Sequence, residues 1–183
     1  MTSRSALPVA MAAAAALALA GCGDGEPSDA STTAKSGAPT ATGGSTPAED
    51  PEAAAVAEVE AAYQRYWDVV VAAENSGEDS YEHLKTVANE LIVQEQVAEI
   101  RSMREDHITR DGAPQIGTPQ VTVDGETARV ESCVDEHTWN VYYKGELADQ
   151  ESDPQARVFD FKRDDDRWIV VDLVAKAEAT ITC

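Results

Sequence analysis

Gln120 to Val134, QVTVDGETARVESCV, is the stretch on which the fold turns. β-Branched residues alternate with polar ones on both sides of Asp124-Gly125, and that dipeptide suits a tight turn because glycine reaches positive φ without strain. The stretch reads as an antiparallel hairpin, Gln120 to Val123 paired with Thr127 to Val134. Everything upstream has a different period.

Upstream, Asp50-Pro51-Glu52 is a helix start: a capping acid, proline at the first helical position and a second acid in the first turn. The helix is expected to reach about Glu74, before Asn75-Ser76-Gly77. Val56, Val59, Tyr63, Tyr66 and Val70 recur at spacings of three and four and form one stripe, widened by Trp67 and Val71. A short helix over Ser80 to Thr86, turning Leu84 inward, and a longer one from about Asn89 to Asp106 follow. Asp111-Gly112-Ala113-Pro114 is expected to end the helical half.

Downstream of the hairpin, Trp139 to Tyr143 reads as a strand and Lys144 to Gln155 as a polar loop. Arg157 to Lys162 and Trp168 to Val174 form a second hairpin around Asp164-Asp165-Asp166. Helices first and an antiparallel sheet after them make an α+β layout of about 130 residues, enough for one core. The expected sheet has four to six curved strands.

The 183-residue chain holds 14 Lys+Arg against 34 Asp+Glu, a formal charge of −20. A surface this acidic repels nucleic acid and anionic headgroups, so nucleic acid is not an expected partner. Residues 1–21 read as a secretory signal. Arg4 is followed by the apolar run Ala6 to Ala20, about 22 Å of helix, short of the roughly 30 Å hydrocarbon core. Leu19-Ala20-Gly21-Cys22 resembles the lipobox of bacterial lipoproteins, in which the cysteine is acylated and becomes the mature N-terminus. Ala18-Leu19-Ala20 also fits an ordinary signal peptidase. Residues 22–50 are a Gly/Ser/Thr/Pro tether whose ends would average about 25–30 Å apart. The expected location is the outer face of the cytoplasmic membrane, with two acyl chains supplying the hold.

Of the three cysteines, lipid on Cys22 leaves Cys133 and Cys183, an even number for an oxidising compartment. A bond between them closes a loop of about 50 residues, which the chain-entropy model values at about 4 kcal/mol.

The long helix carrying Tyr63-x-x-Tyr66-Trp67, a short helix, a second long helix and then curved antiparallel strands resemble the NTF2-like (nuclear transport factor 2) superfamily. Ser132-Cys133-Val134-Asp135 is similar to a C-x-D element of small actinobacterial lipoproteins of that type, and Arg167-Trp168-Ile169-Val170 to their final strand. The resemblance spans Pro51 to Cys183 and implies a cone whose pocket or open sheet face binds a small apolar molecule or an envelope protein. Homodimerisation through the sheet is a family habit that the acidic surface would oppose. Tyr63, Tyr66, Trp67, Trp139 and Tyr143 would line or fill the pocket.

Some members of the superfamily are isomerases or cyclases that use pocket acids or histidine. That alternative would use Asp135 with His137, two apart in sequence, or Asp172. Alternation places Asp160 opposite Phe159 and Phe161, hence outside, and groups Asp172 with Trp168 and Val170. Asp172 is then either a structural partner for a basic side chain or the pocket acid. No metal or cofactor is expected. Asp149-x-Glu151-x-Asp153 and Asp164-Asp165-Asp166 lack the EF-hand ligand order, and no zinc, phosphate-loop or dinucleotide pattern occurs. A binding or scaffolding lipoprotein is the expected function, and the isomerase or cyclase type the alternative.

Overall fold

The computed structural model describes residues 50–78, 80–149 and 153–183. The signal, nearly all of the tether, Cys22 and Glu151 lie outside the described residues. Asp50 caps the first helix, its Oδ1 accepting the Glu52 N–H at 3.1 Å, and α1 runs Pro51–Ser76. It stops at Gly77, whose φ of 63° breaks the helix while its N–H still reaches the carbonyls of Ala73 and Glu74.

After α2 (Tyr81–Leu84), Asn89 starts α3 (Glu90–Glu105). Its Oδ1 accepts the Ile92 N–H at 3.0 Å, and its Nδ2 donates to the Val171 carbonyl at 2.9 Å. The Asn89 N–H also donates to the Val170 carbonyl, and the Val170 N–H to that of Val87. One residue therefore caps a helix and ties it to the edge of the sheet.

The strands are β1 (Ile108–Gly112), β2 (Gln115–Ile116), β3 (Gln120–Asp124), β4 (Thr127–Asp135), β5 (Trp139–Tyr143), β6 (Glu146–Leu147), β7 (Gln155–Asp164) and β8 (Arg167–Val174). They form an antiparallel sheet ordered β1-β5-β6 and a second ordered β2-β4-β7-β8, with β3 also on β4. The result is α+β, three helices packed against a curled antiparallel sheet.

There are more strands than the expected four to six because three short ones carry little sequence signal. Asp111-Gly112 does not end the helical half; it ends β1. Gly112 has φ 82°, and a Cβ there would lie 2.3 Å from the Thr138 carbonyl oxygen, so this glycine permits a close crossing of β5. Lys144 and Gly145, both at positive φ, make a two-residue turn that pairs β6 with β5 inside the expected loop.

A bulge in β8 overturns the expected face of Asp172. Phe161 pairs with Val170, but Asp160 pairs with Asp172, leaving Val171 as the extra residue. Trp168 and Val170 are buried against the helices, whereas Asp172 emerges on the outer face beside Asp160, and Leu173 takes the inner register with Phe159.

The core lies between α1, α3 and the inner face of the sheet, built on Val59, Val93, Val130, Val134, Phe161 and Val170. Tyr63, Tyr66 and Trp67 stand edge-on to Phe159, with centroids 5.2, 5.4 and 6.0 Å away. The Tyr63 hydroxyl shares a hydrogen bond with that of Ser132, so neither polar atom is buried alone. On the outer face the chain end is strapped to β4. Cys133 is bonded to Cys183, and Glu131 Oε2 accepts the N–H groups of Thr180 and Ile181 and the Thr180 hydroxyl.

Candidate functional site

The inner face of the sheet is not filled to the end of α1. Beyond Trp67 a cavity of about 600 Å³ opens, within the size range of small-molecule pockets. α1 contributes Tyr66, Trp67, Val70 and Glu74; α3 contributes Gln96, Glu99 and Met103. The floor and far wall come from Ile108 and Arg110 on β1, Trp139 and Val141 on β5, Phe159 on β7 and Leu173 on β8.

A charged arc crosses this apolar wall. Arg110 Nη1 donates to Glu74 Oε2 at 2.8 Å and Arg110 Nη2 to Glu136 Oε2 at 3.2 Å. Arg157 Nη2 donates to Glu136 Oε1 at 2.6 Å, and Gln96 Nε2 to Glu74 Oε1 at 2.8 Å. The Arg110 guanidinium lies 3.7 Å from the centre of the Trp139 ring, a cation–π stack that fixes both groups. Asn75 holds the indole from behind: its Oδ1 accepts Trp139 Nε1–H at 2.9 Å while its Nδ2 donates to the Gly112 carbonyl at 2.8 Å.

Glu74 is 8% exposed. Burial pushes its carboxyl above the usual carboxylate range, and Arg110 and Gln96 pull it partly back. Burial also raises the Tyr66 phenol, with Glu74 acting in the same direction, so Tyr66 stays neutral. Its hydroxyl has no hydrogen-bond partner among the described residues. The cavity thus offers rings, aliphatic surface, a neutral phenol and an arc in which two arginines are paired with two carboxylates, with Glu99 and Lys176 also on its wall.

Of the aromatic residues singled out in the sequence, Tyr66, Trp67 and Trp139 line this cavity. Tyr63 does not: it is spent in the core on Ser132 and Phe159, and borders a separate, smaller depression with Ile116 and Gly117. Tyr143 does not either; it is 51% exposed, with Lys144 over its ring. Asp135 and His137 form no side-chain acid–base pair facing the cavity. Asp135 Oδ1 accepts the backbone N–H of His137 at 2.9 Å, which closes the turn after β4, and His137 is exposed. Asp172 is outside by the bulge. Asp160 is outside as expected, in a two-pronged pair with Arg129 at 2.8 and 2.9 Å.

The residues that sequence reasoning passed over are Glu74, Gln96, Arg110, Glu136 and Arg157. For Glu74 a signal existed. It lies four residues beyond Val70, on the stripe of Val59, Tyr63, Tyr66 and Val70, so a carboxylate sits on the buried side of the helix. The arginines carried none, because β1 was unrecognised and Arg157 looks like any strand-end cation. Among the described residues no cluster of three or more His, Cys, Asp or Glu could hold a metal ion, and no helix is long and apolar enough to cross a membrane.

No protein-family model matches the chain, and no curated protein sequence matches it. Solved structures do. The intermembrane-space region of the chloroplast protein ARC6 aligns over 66% of this chain and 97% of its own, at TM-score 0.50 and 11% identity. A protein of the NTF2-like family from Streptomyces avermitilis, described as a dehydratase, aligns over 69% of this chain and 100% of its own, at TM-score 0.44 and 15% identity. An NTF2-like protein with a cystatin-like fold from Novosphingobium aromaticivorans aligns over 62% and 75%, at TM-score 0.41 and 18% identity. What the chain shares with the first of these is its fold, helices laid across a curled antiparallel sheet.

Proposed function

We propose that this chain is an NTF2-like cone domain that binds a small apolar ligand and is held at the outer face of the cytoplasmic membrane by lipid on Cys22. The observation that carries the binding half is the open cavity of about 600 Å³, walled by Tyr66, Trp67, Trp139 and Phe159. A cone filled by its own side chains would favour a scaffold for an envelope protein instead; this one is open. The anchor rests on Leu19-Ala20-Gly21-Cys22.

The binding half is tested with N-phenyl-1-naphthylamine, an uncharged probe that emits when it leaves water. Emission should saturate with the native protein. Leu173, 44% exposed at the cavity wall, can be enlarged without entering the core, so Leu173→Trp should weaken binding about 10-fold or more. Emission that never saturates, or that is equal in both proteins, would overturn the reading. For the anchor, Cys22→Ala should abolish incorporation of a palmitate analogue and move the chain from the membrane fraction to the soluble one. A variant still sedimenting with membranes would refute it.

Burial of Glu74 favours a second reading, a small isomerase or cyclase. A desolvated carboxylate beside a neutral phenol is a fitting proton acceptor and donor pair. In that reading Glu74 takes the part that the sequence offered to Asp135, His137 or Asp172.

A further inference from the structure

The arc from Glu74 to Arg157 says something about the ligand. Two guanidiniums, Arg110 and Arg157, converge on one carboxylate at 3.2 and 2.6 Å, and that carboxylate is the protein's own Glu136. Two arginines so arranged would ordinarily make a site for an anionic ligand. Here Glu136 occupies it. Glu136 is not on a loose loop: its backbone carbonyl accepts the Trp139 N–H at 2.9 Å, and Asp135 Oδ1 closes the same turn through the His137 N–H. The turn therefore delivers the carboxylate to the cavity wall.

A ligand carboxylate or phosphate could bind the arginines only by displacing Glu136, which would then face its charge at close range. A cationic ligand could reach the buried Glu74 only by dislodging Arg110 from it and from Trp139. An uncharged ligand disturbs none of these pairs. It meets Trp67, Val70, Met103 and Phe159, with the Tyr66 hydroxyl left for one polar atom.

Resting on the binding reading above, we infer that the cavity selects uncharged ligands and that Glu136, plugging a ready-made anion site between Arg110 and Arg157, is the residue that sets this selectivity. Glu136 is a specificity determinant that acts through charge, with 27% of its side chain exposed, so replacing it does not open the core. Asp135 becomes a positioning residue for it.

The test compares 2-naphthol with 2-naphthoate, the same ring system without and with a charge, by titration calorimetry on the full chain. The native protein should bind 2-naphthol at least about 10-fold more tightly than 2-naphthoate. Glu136→Gln should raise the affinity for 2-naphthoate relative to that for 2-naphthol by about 10-fold or more. Adding Arg157→Ala to that variant should remove the gain. Glu136→Ala, expected to behave as the glutamine variant does, guards against an effect peculiar to the amide, and a thermal melt checks that each variant is folded. Native protein that binds 2-naphthoate as well as 2-naphthol would overturn the inference and leave the binding reading standing. So would a folded Glu136 variant that gains no anion affinity. If neither compound binds any of the folded proteins, the binding reading itself falls.

Discussion

Arg110→Met lowers unfolding free energy at pH 7 by about 3 kcal/mol, the low end of what breaking a buried ion pair costs. Methionine keeps an aliphatic stem against Trp139 but loses both carboxylates. Arg110 and Glu74 have side chains 16% and 9% exposed, so water cannot replace what is removed. Glu136, at 27%, keeps Arg157 and some solvent and adds less to the loss. The cost stays near the low end because Glu74 has an escape: it can take up a proton.

That escape gives the prediction its pH signature. Burial already holds Glu74 above the ordinary value of 4.5, against the pull of Arg110. Without Arg110 its folded-state pKa rises further. A carboxyl whose folded pKa exceeds its unfolded one contributes stability that is complete below the unfolded pKa and lost as pH rises through the folded pKa. The Arg110→Met deficit should therefore be largest at pH 7 and shrink toward pH 4.5. Urea denaturation at the two pH values reads it directly, and an equal deficit at both would mean Glu74 stays charged and finds another partner. Glu74→Gln combined with Arg110→Met should recover a large part of the loss at pH 7 and flatten the pH dependence, since no buried charge is then left alone.

The same arc shows why the fold was more legible than the site. Helix α1 and the β3–β4 hairpin announce themselves through one-dimensional periods, 3.6 and 2, and a capping acid or an Asp-Gly turn marks each boundary. β1, β2 and β6 are two to five residues long and polar, so no period can emerge. The face of Asp172 was unreadable because one bulge residue, Val171, reverses alternation, and a bulge is decided by the partner strand. The charged arc joins residues from α1, β1, the β4–β5 turn and β7. Each is an ordinary acid or arginine alone, and only their convergence makes a site. Glu74 is the exception, since a carboxylate on an apolar stripe can be seen without any partner.

Phe159→Ala should cost about 4 kcal/mol, as expected for deleting a buried ring. Phe159 is 4% exposed and receives Tyr63, Tyr66 and Trp67 edge-on, so truncation leaves three rings without the surface they pack against. α1 cannot collapse into the space freely, because Tyr63 is tied to Ser132 and Asn75 bridges to Trp139 and Gly112. Phe161 separates this effect from stability alone. It shares the inner face, is 1% exposed and meets Tyr63 at 6.4 Å, yet contributes nothing to the cavity wall. Phe161→Ala should cost about as much in urea denaturation, within about 1 kcal/mol, because both delete a buried ring. Under conditions where both variants remain folded, only Phe159→Ala should weaken N-phenyl-1-naphthylamine binding, by several-fold, because it alone removes wall. Equal binding losses in the two variants would mean that the probe senses general loosening of the core, and that the cavity between α1, α3 and the sheet is not where it sits.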